Sequence, residues 1–196
     1  MSILKVIKTP IFAAEGIQHF DRNTFHLEIA GSQPVKLTLK LPELQKKFPI
    51  SNINMRLTSV SGWSVRATWD GILWKDFISR ITPSESCRYA LFSSADHYST
   101  AVSSEDLTAS TAMLVWGVNG ETLEDEYGGP LRMVIPNLWG YKSCKWLTQI
   151  QFLDKYQPGY WELRGYSHHG TIEAGETFDV NSQQWRPIQA GEVIDF

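Results

Sequence analysis

Apolar and polar residues alternate along much of the chain, which is the pattern of β-strands with one buried face. Residues 25–29 alternate in this way, and so do residues 35–41, which follow a predicted turn at residues 31–34. Residues 112–118 are almost wholly apolar and lead into Asn119-Gly120, a pair favoured in tight hairpin turns. Further strands are predicted at residues 55–59, 88–92, 131–135 and 145–153.

Helical periodicity is confined to short stretches. Residues 42–48 begin with a proline, which suits the first turn of a helix. Residues 73–81 carry their apolar side chains at helical spacing, and residues 104–107 look like a capped turn. These elements predict one mostly-β domain of the α+β class over residues 1–196, with a few short helices. Its residues from about 170 to 196 form a C-terminal extension, predicted as loop and edge strand without a clear partner. The side chains expected to point into a mixed β core are Leu57, Leu91, Val115, Val134 and Ile150.

The charge balance narrows the range of partners. The chain has 18 Lys and Arg against 21 Asp and Glu, a formal net charge of −3. Nucleic-acid binders usually carry a basic surface, so nucleic acid is not an expected partner. No run of 18 apolar residues predicts a membrane span, and the first residues lack the pattern of a signal peptide. Two cysteines, Cys87 and Cys144, fit no disulfide framework or zinc motif, and the expected location is the cytoplasm.

The densest group of polar and flexible residues lies between residues 119 and 146. Ser143 and Lys145 are two positions apart, so an extended backbone places both side chains on one face. With Arg132, a hydroxyl and two cations could form a phosphate cradle, and nearby glycines would let backbone amides approach the anion. A solvated basic turn is the alternative interpretation of the same spacing.

Several motifs occur in an order that resembles a known family. Residues 127–132 read Tyr-Gly-Gly-Pro-Leu-Arg, and residues 140–147 read Gly-Tyr-Lys-Ser-Cys-Lys-Trp-Leu. Earlier in the chain, residues 60–64 read Val-Ser-Gly-Trp-Ser and residues 96–99 read Asp-His-Tyr-Ser. Together they resemble the oxidoreductase molybdopterin-binding domain of the sulfite oxidase superfamily, over about residues 20–168. The resemblance implies a site for molybdenum held by one pterin.

The resemblance also implies roles for individual residues. Arg132 corresponds to the guanidinium of the family's "GGPLR" turn, and the phosphate-binding tripeptide corresponds to Ser143, Cys144 and Lys145. Tyr127 is a further implied cofactor contact, at a position where the family often has His or Asn. Tyr98 matches the family's active-site tyrosine and would be catalytic. Asp96, just before it, is an implied cofactor contact. We expect Arg132, Ser143 and Lys145 to converge.

The position of the family's molybdenum-ligating cysteine is occupied by Ser59, which would be the catalytic and metal-binding residue here. A thiolate is a soft ligand that ionises readily near a metal, whereas a hydroxyl is harder and far less acidic. Three interpretations remain open: an alkoxide ligand, a pterin or other phosphorylated ligand bound without a protein–metal bond, and a degenerate pocket. A Cys-to-Ser change introduced by engineering is a further explanation. We expect Ser59 at the floor of a pocket walled by Tyr98 and by one or more of Trp63, Trp69 and Trp139.

The predicted function is that of a molybdopterin-dependent oxidoreductase that transfers an oxygen atom to or from a small substrate. Electrons would pass to a separate partner protein, because the resemblance includes no haem domain. The suspected cofactor is molybdopterin with molybdenum, and the isolated protein is expected to contain little or none of the metal. The alternative is a non-catalytic pterin- or anion-binding module on the same fold.

Overall fold

The computed structural model describes residues 1–31 and 36–192, and it has the α+β, mostly-β architecture that the sequence predicts. Three short 3₁₀ turns, at Asp125–Tyr127, Gly140–Lys142 and Glu162–Arg164, lie in the longer loops. In chain order the regular elements are α1 (Ile3–Val6), β1 (His26–Ala30), β2 (Leu37–Lys40), α2 (Leu41–Lys47), β3 (Ser51–Ser59), β4 (Trp63–Leu73), α3 (Trp74–Ile81), β5 (Tyr89–Ser94), β6 (Ser99–Ser103), α4 (Ser104–Ala109), β7 (Met113–Val118), β8 (Glu121–Thr122), β9 (Arg132–Val134), β10 (Leu147–Leu153), β11 (Gly175–Asp179) and β12 (Gln184–Ile188).

The first sheet has the strand order β2-β1-β10-β5-β6, and only the β1–β10 pair is parallel. Its buried face packs against α3, whose Trp74, Phe77 and Ile81 repeat at helical spacing. The rings of Trp74 and Phe92 meet edge to face at 5.6 Å between centroids, a favourable geometry for aromatic pairs.

The second sheet is built around β4. Strand β3 pairs with β4 along its whole length, from Ser59 opposite Trp63 to Ser51 opposite Gly71. The other edge of β4 is shared by β11, near Trp63, and by β7, beyond Trp69. Strands β12, β8 and β9 extend the sheet from β11 and β7. The first residues of β4 therefore lie beside the end of β3, which brings the two motif segments around Ser59 and Trp63 together.

Most predicted elements are confirmed with small shifts at their ends. The Asn119-Gly120 turn joins β7 to β8, and both of its residues have positive φ, as a type I′ hairpin turn requires. Residues 32–35, which include most of the predicted turn and the first residue of the predicted second strand, lie outside the described residues. Strands β4 and β6 were not predicted, although Trp63, Val65, Ala67 and Trp69 of β4 do alternate.

The expectation that the C-terminal stretch has no clear partner is wrong. Strand β11 adds in parallel to β4, with Asp179 opposite Ser64. The buried guanidinium of Arg56 on β3 lies 3.0 Å from the Asp179 carboxylate and donates to the Ser64 hydroxyl. A parallel pairing between segments more than 100 residues apart leaves no local signature, because each strand pattern is compatible with many partners.

The five predicted core residues are all buried, but they do not share one core. Leu57, Val115 and Val134 belong to a cluster within the second sheet, whereas Ile150 belongs to the cluster that packs on α3. Leu91 lies in neither cluster, because the neighbouring β5 positions 90 and 92 point into the α3 cluster and alternation turns Leu91 away. The second sheet contributes to both clusters, because Ile72 of β4 and Leu114 of β7 belong to the cluster that packs on α3. The candidate site lies between segments of both sheets.

Candidate active site

A cavity of about 320 Å³ opens between the end of β3, the start of β4 and several long loops. Its volume is at the lower end of the range for small-molecule sites. Residues from both halves of the chain line it, and these are Leu4, Thr9, Pro10, Phe12, Leu57, Ser59, Val60, Ser61, Trp63, Val65, Trp69, Asp96, Tyr98, Tyr127, Arg132, Gly140, Tyr141, Ser143, Lys145, Trp146, Trp161 and Tyr166. The predicted site residues are all in this set except Cys144.

Arg132 is a buried cation in the wall of this cavity. Its guanidinium donates to the carbonyl oxygens of Tyr127 at 2.7 Å, Met133 at 3.2 Å and Ser143 at 3.4 Å. Burial lowers the pKa of Arg132 to about 10, so the group stays charged at neutral pH. Among the described residues no carboxylate forms an ion pair with it. A buried charge normally has a partner of opposite sign, so the side chain is suited to a bound anion.

Lys145 is the second cation of the site. Its ammonium donates to the Glu126 carbonyl at 3.4 Å and lies 4.3 Å from the centre of the Trp146 ring. Burial lowers the pKa of Lys145 to about 7, and the nearby charge of Arg132 acts in the same direction. Gly128 makes this packing possible, because a Cβ there would lie 2.9 Å from the Lys145 Cβ.

Arg132, Ser143 and Lys145 therefore line one cavity, as expected, although residues 143–146 form no strand and β10 begins only at Leu147. The Ser143 hydroxyl accepts a hydrogen bond from the Ile135 amide at 3.0 Å. The 3₁₀ turn that precedes Ser143 packs against the end of β3, where a Cβ on Gly140 would lie 3.3 Å from the Thr58 carbonyl oxygen. This close approach brings the basic segment next to Ser59.

Sulfate binding to this cation pair should weaken as the pH rises through 7. The neutral form of Lys145 predominates above its pKa of about 7, and one charge-assisted hydrogen bond to the anion is then lost. Sulfate keeps its charge over this range, and we expect its affinity to fall about tenfold between pH 6 and pH 8.5. Calorimetric titration at each pH measures the change.

Lys145→Met should give weaker binding with a flat pH profile, because Arg132 alone stays charged throughout. A flat profile in the unmodified protein would contradict the assignment of Lys145 to the anion site.

Two of the predicted cofactor-binding side chains are used elsewhere. Cys144 lies in the cluster that packs on α3 and does not line the cavity, and burial raises the pKa of its thiol. Cys144 therefore cannot hold a ligand in this cavity through its thiol, and its place in the phosphate-binding tripeptide stays a prediction. Tyr127 does line the cavity, but its hydroxyl donates to the Leu4 carbonyl at 3.0 Å.

Tyr98 and Asp96 also lie at the cavity, with their polar atoms already paired. The Tyr98 hydroxyl donates to the Tyr141 carbonyl, and burial raises the pKa of this phenol well above its ordinary value. The phenol is therefore a hydrogen-bond donor and not a proton acceptor at neutral pH. The Asp96 carboxylate accepts from the Ser94 hydroxyl at 2.6 Å and from the Ala14 amide at 2.9 Å.

Ser59 occupies the last position of β3, directly on the cavity wall. Its hydroxyl lies 2.7 Å from the Ser61 hydroxyl and accepts from the Ser61 amide at 3.2 Å. Ser59 is half-buried and its neighbour Val60 is exposed, and its position at the floor of the cavity stays a prediction. Trp63 and Trp69 line the cavity as expected, whereas Trp139 does not.

Sequence reasoning missed the walls that come from the chain ends. The N-terminal residues Leu4, Pro10 and Phe12 and the later residues Trp161 and Tyr166 all face the cavity. The concentration of aromatic residues around residue 160 is a sequence signal for the part of the wall that Trp161 and Tyr166 form. The N-terminal segment gave none, because it has no regular secondary structure between residues 9 and 13.

A buried ion pair lies behind the basic turn. The Lys142 ammonium is 2.5 Å from the Glu162 carboxylate, and both side chains are fully enclosed. Lys142 also donates to the carbonyl oxygens of Ala101 at 2.9 Å and His168 at 2.7 Å, and Thr100 donates to Glu162 at 2.6 Å. These bonds fix the turn before Ser143 against β6 and against the segment that carries Trp161.

Two features are absent from residues 1–31 and 36–192. No helix there combines the length and the apolar character that a membrane crossing needs. No group of three or more His, Cys, Asp and Glu side chains there is placed to hold a metal ion.

Comparisons with known proteins agree with the fold and the motifs. A family model described as "Oxidoreductase molybdopterin binding domain" matches residues 14–161. The chain is 32% identical over 151 residues to the uncharacterized oxidoreductase YuiH of Bacillus subtilis, and the match covers 76% of each protein. It is 28% identical over 161 residues to the protein-methionine-sulfoxide reductase catalytic subunit MsrP of Ralstonia nicotianae, covering 74% of this chain and 49% of that protein. The sulfane dehydrogenase SoxCD from Paracoccus pantotrophus has a similar fold, with a TM-score of 0.66 and 17% identity over 89% of this chain and 47% of that chain.

Proposed function

Because the chain belongs to the oxidoreductase molybdopterin-binding domain family, we propose that its cavity binds the pterin of a molybdenum cofactor through the cofactor's phosphate. Arg132 and Lys145 would hold that phosphate, with the Ser143 hydroxyl beside them. The observation that carries the proposal is the pair of cations that face one cavity with no carboxylate at ion-pair distance among the described residues. The aromatic walls would flank the flat ring system of the pterin.

The residues present do not fit ligation of molybdenum by the protein. A hydroxyl that is hydrogen-bonded to Ser61 stands where a soft, ionised sulfur would be needed. The thiol of Cys144 is buried in the core, and that of Cys87 lies 3.6 Å from the Gly31 carbonyl. Neither thiol belongs to the cavity wall.

For the form that carries molybdenum, the activity that we propose is oxygen-atom transfer to or from a small substrate, with electrons exchanged with a separate partner protein. Molybdenum would supply the two-electron chemistry, and the protein would orient the cofactor and exclude water. MsrP and SoxCD carry names of oxidoreductases, and they support this class of reaction. The match covers only part of each, so substrate and partner are proposals here, and the cytoplasmic location stays a prediction.

A second candidate function is a non-catalytic pterin- or anion-binding module. The neutral Ser59 hydroxyl favours this module. The anion site and the metal ligand are separate residues, so a chain can keep the first without the second. This module would retain Arg132 and Lys145 and would bind a phosphorylated ligand without redox chemistry.

Pterin content tests the proposed cofactor. Protein from a host that makes the cofactor is denatured and oxidised, and the pterin fluorescence is measured per chain. We expect a substantial fraction of chains to carry pterin, and Arg132→Met should lose most of it because the phosphate loses its buried charge-assisted bonds. Absence of pterin from the unmodified protein would contradict the proposal, and Lys5→Met serves as a control for removal of an exposed cation.

A further inference from the structure

The outer part of the cavity differs in character from the part beside Arg132. The exposed lining residues are Pro10, Phe12, Val60 and Ser61, none of which is charged. The charged groups that line the cavity among the described residues are Asp96, Arg132 and Lys145, and the first two are buried. A ligand that enters therefore meets an apolar opening before it meets a charge.

The N-terminal segment builds one side of this opening and is fixed at both ends. The Tyr127 hydroxyl donates to the Leu4 carbonyl at 3.0 Å, and the Ala14 amide donates to Asp96 at 2.9 Å. Phe12 lies between these anchors, with its ring 5.3 Å from that of Trp161. The ring is 46% exposed although it has an aromatic neighbour.

A stack of aromatic rings lies next to Phe12 at this opening. Trp161 and Tyr166 stack at 4.7 Å between centroids, with planes 23° apart. The guanidinium of Arg164 lies 3.6 Å from the centre of the Tyr160 ring and donates to the Tyr160 carbonyl, and it is not a cavity-lining group. Arg164, the cation nearest to this stack along the chain, thus contacts Tyr160 and does not face the cavity.

We propose that this opening selects uncharged substrates with an apolar group, and that Phe12 and Trp161 determine the specificity. An anion in this opening would lose water without gaining a charged partner, since the hydroxyls of Ser59 and Ser61 there are neutral and bonded to each other. An aryl or thioether group would instead contact the ring faces and edges favourably. This inference rests on the proposed function, because it leaves the cationic part of the same cavity to the cofactor's phosphate.

Two probes of similar shape test the selection. Methyl phenyl sulfoxide is uncharged and benzenesulfonate is an anion, and calorimetry gives the dissociation constant of each. Excess sulfate is present throughout to occupy Arg132 and Lys145. We expect the sulfoxide to bind at least tenfold more tightly than the sulfonate, and equal or reversed affinities would overturn the proposal.

Matched variants then locate the specificity. Phe12→Ala should raise the dissociation constant of the sulfoxide about fivefold, the effect of losing one favourable ring contact. Ile11 is also 46% exposed and does not line the cavity, so Ile11→Ala should leave both constants unchanged within about twofold. Equal effects of the two substitutions would overturn the assignment of Phe12.

The pterin content of the same protein shows whether a failure concerns the selective opening or the proposed cofactor. If the unmodified protein lacks pterin but discriminates the probes through Phe12, the proposed cofactor fails and the selective opening stands. If pterin is present and the probes are not discriminated, the inference fails alone.

Discussion

Replacing Ser59 by cysteine should raise the molybdenum content of the purified protein from near zero to a large fraction of one atom per chain. A thiolate supplies the soft anionic ligand that the hydroxyl lacks, and it ionises on binding the metal. The position is suitable because Ser59 ends β3 on the cavity wall, next to the turn that precedes Ser143 and Lys145. The measurement is molybdenum per chain by mass spectrometry, with both forms expressed side by side in a host that makes the cofactor.

Ser61→Cys is the matched control. Ser61 also lines the cavity, and its hydroxyl lies 2.7 Å from that of Ser59, so the control places a thiol in the same cavity at a different position. We expect it to leave the molybdenum content low. Full molybdenum occupancy in the unmodified protein would contradict the interpretation of a degenerate site and favour an alkoxide ligand. Equal, negligible occupancy in the unmodified protein and in Ser59→Cys would favour the binding module.

Lys142→Met should lower the free energy of unfolding by about 3–5 kcal/mol, because it leaves the Glu162 carboxylate buried without its partner. The pair is fully enclosed at 2.5 Å, and Lys142 is also bonded to two carbonyl oxygens. Denaturant titration followed by fluorescence and by circular dichroism measures the change. The double variant Lys142→Met/Glu162→Met should recover most of the loss, since it removes both charges.

Lys5→Met supplies the comparison at the surface. Lys5 pairs with Glu126 at 3.0 Å, but both side chains are partly exposed to solvent. Solvent screens this pair, so its removal should leave the unfolding midpoint nearly unchanged. A loss for Lys142→Met as small as that for Lys5→Met would show that Glu162 gains access to water or takes up a proton.

The local pattern predicts the elements whose signal lies within a few residues. Strand β7 and its Asn119-Gly120 hairpin are one example, because the apolar run and the turn type are adjacent in the chain. Helix α3 is another, since its buried side chains repeat at helical spacing. Ser143 and Lys145 do line one cavity, but residues 143–146 form no strand, so the two-residue spacing does not explain their common direction or the place of Cys144 in the α3 cluster.

What the sequence by itself determined is therefore the α+β class, most of the strands, the family resemblance and the chemical types available at the site. Only the tertiary structure decided that β11 completes the second sheet and that Lys142 pairs with Glu162. It alone also decided that Phe12 and Trp161, about 150 positions apart, meet at one opening. The physical reason is that a side chain's periodicity fixes which face it occupies, whereas its partner depends on how distant segments pack together, and many partners satisfy the same local pattern.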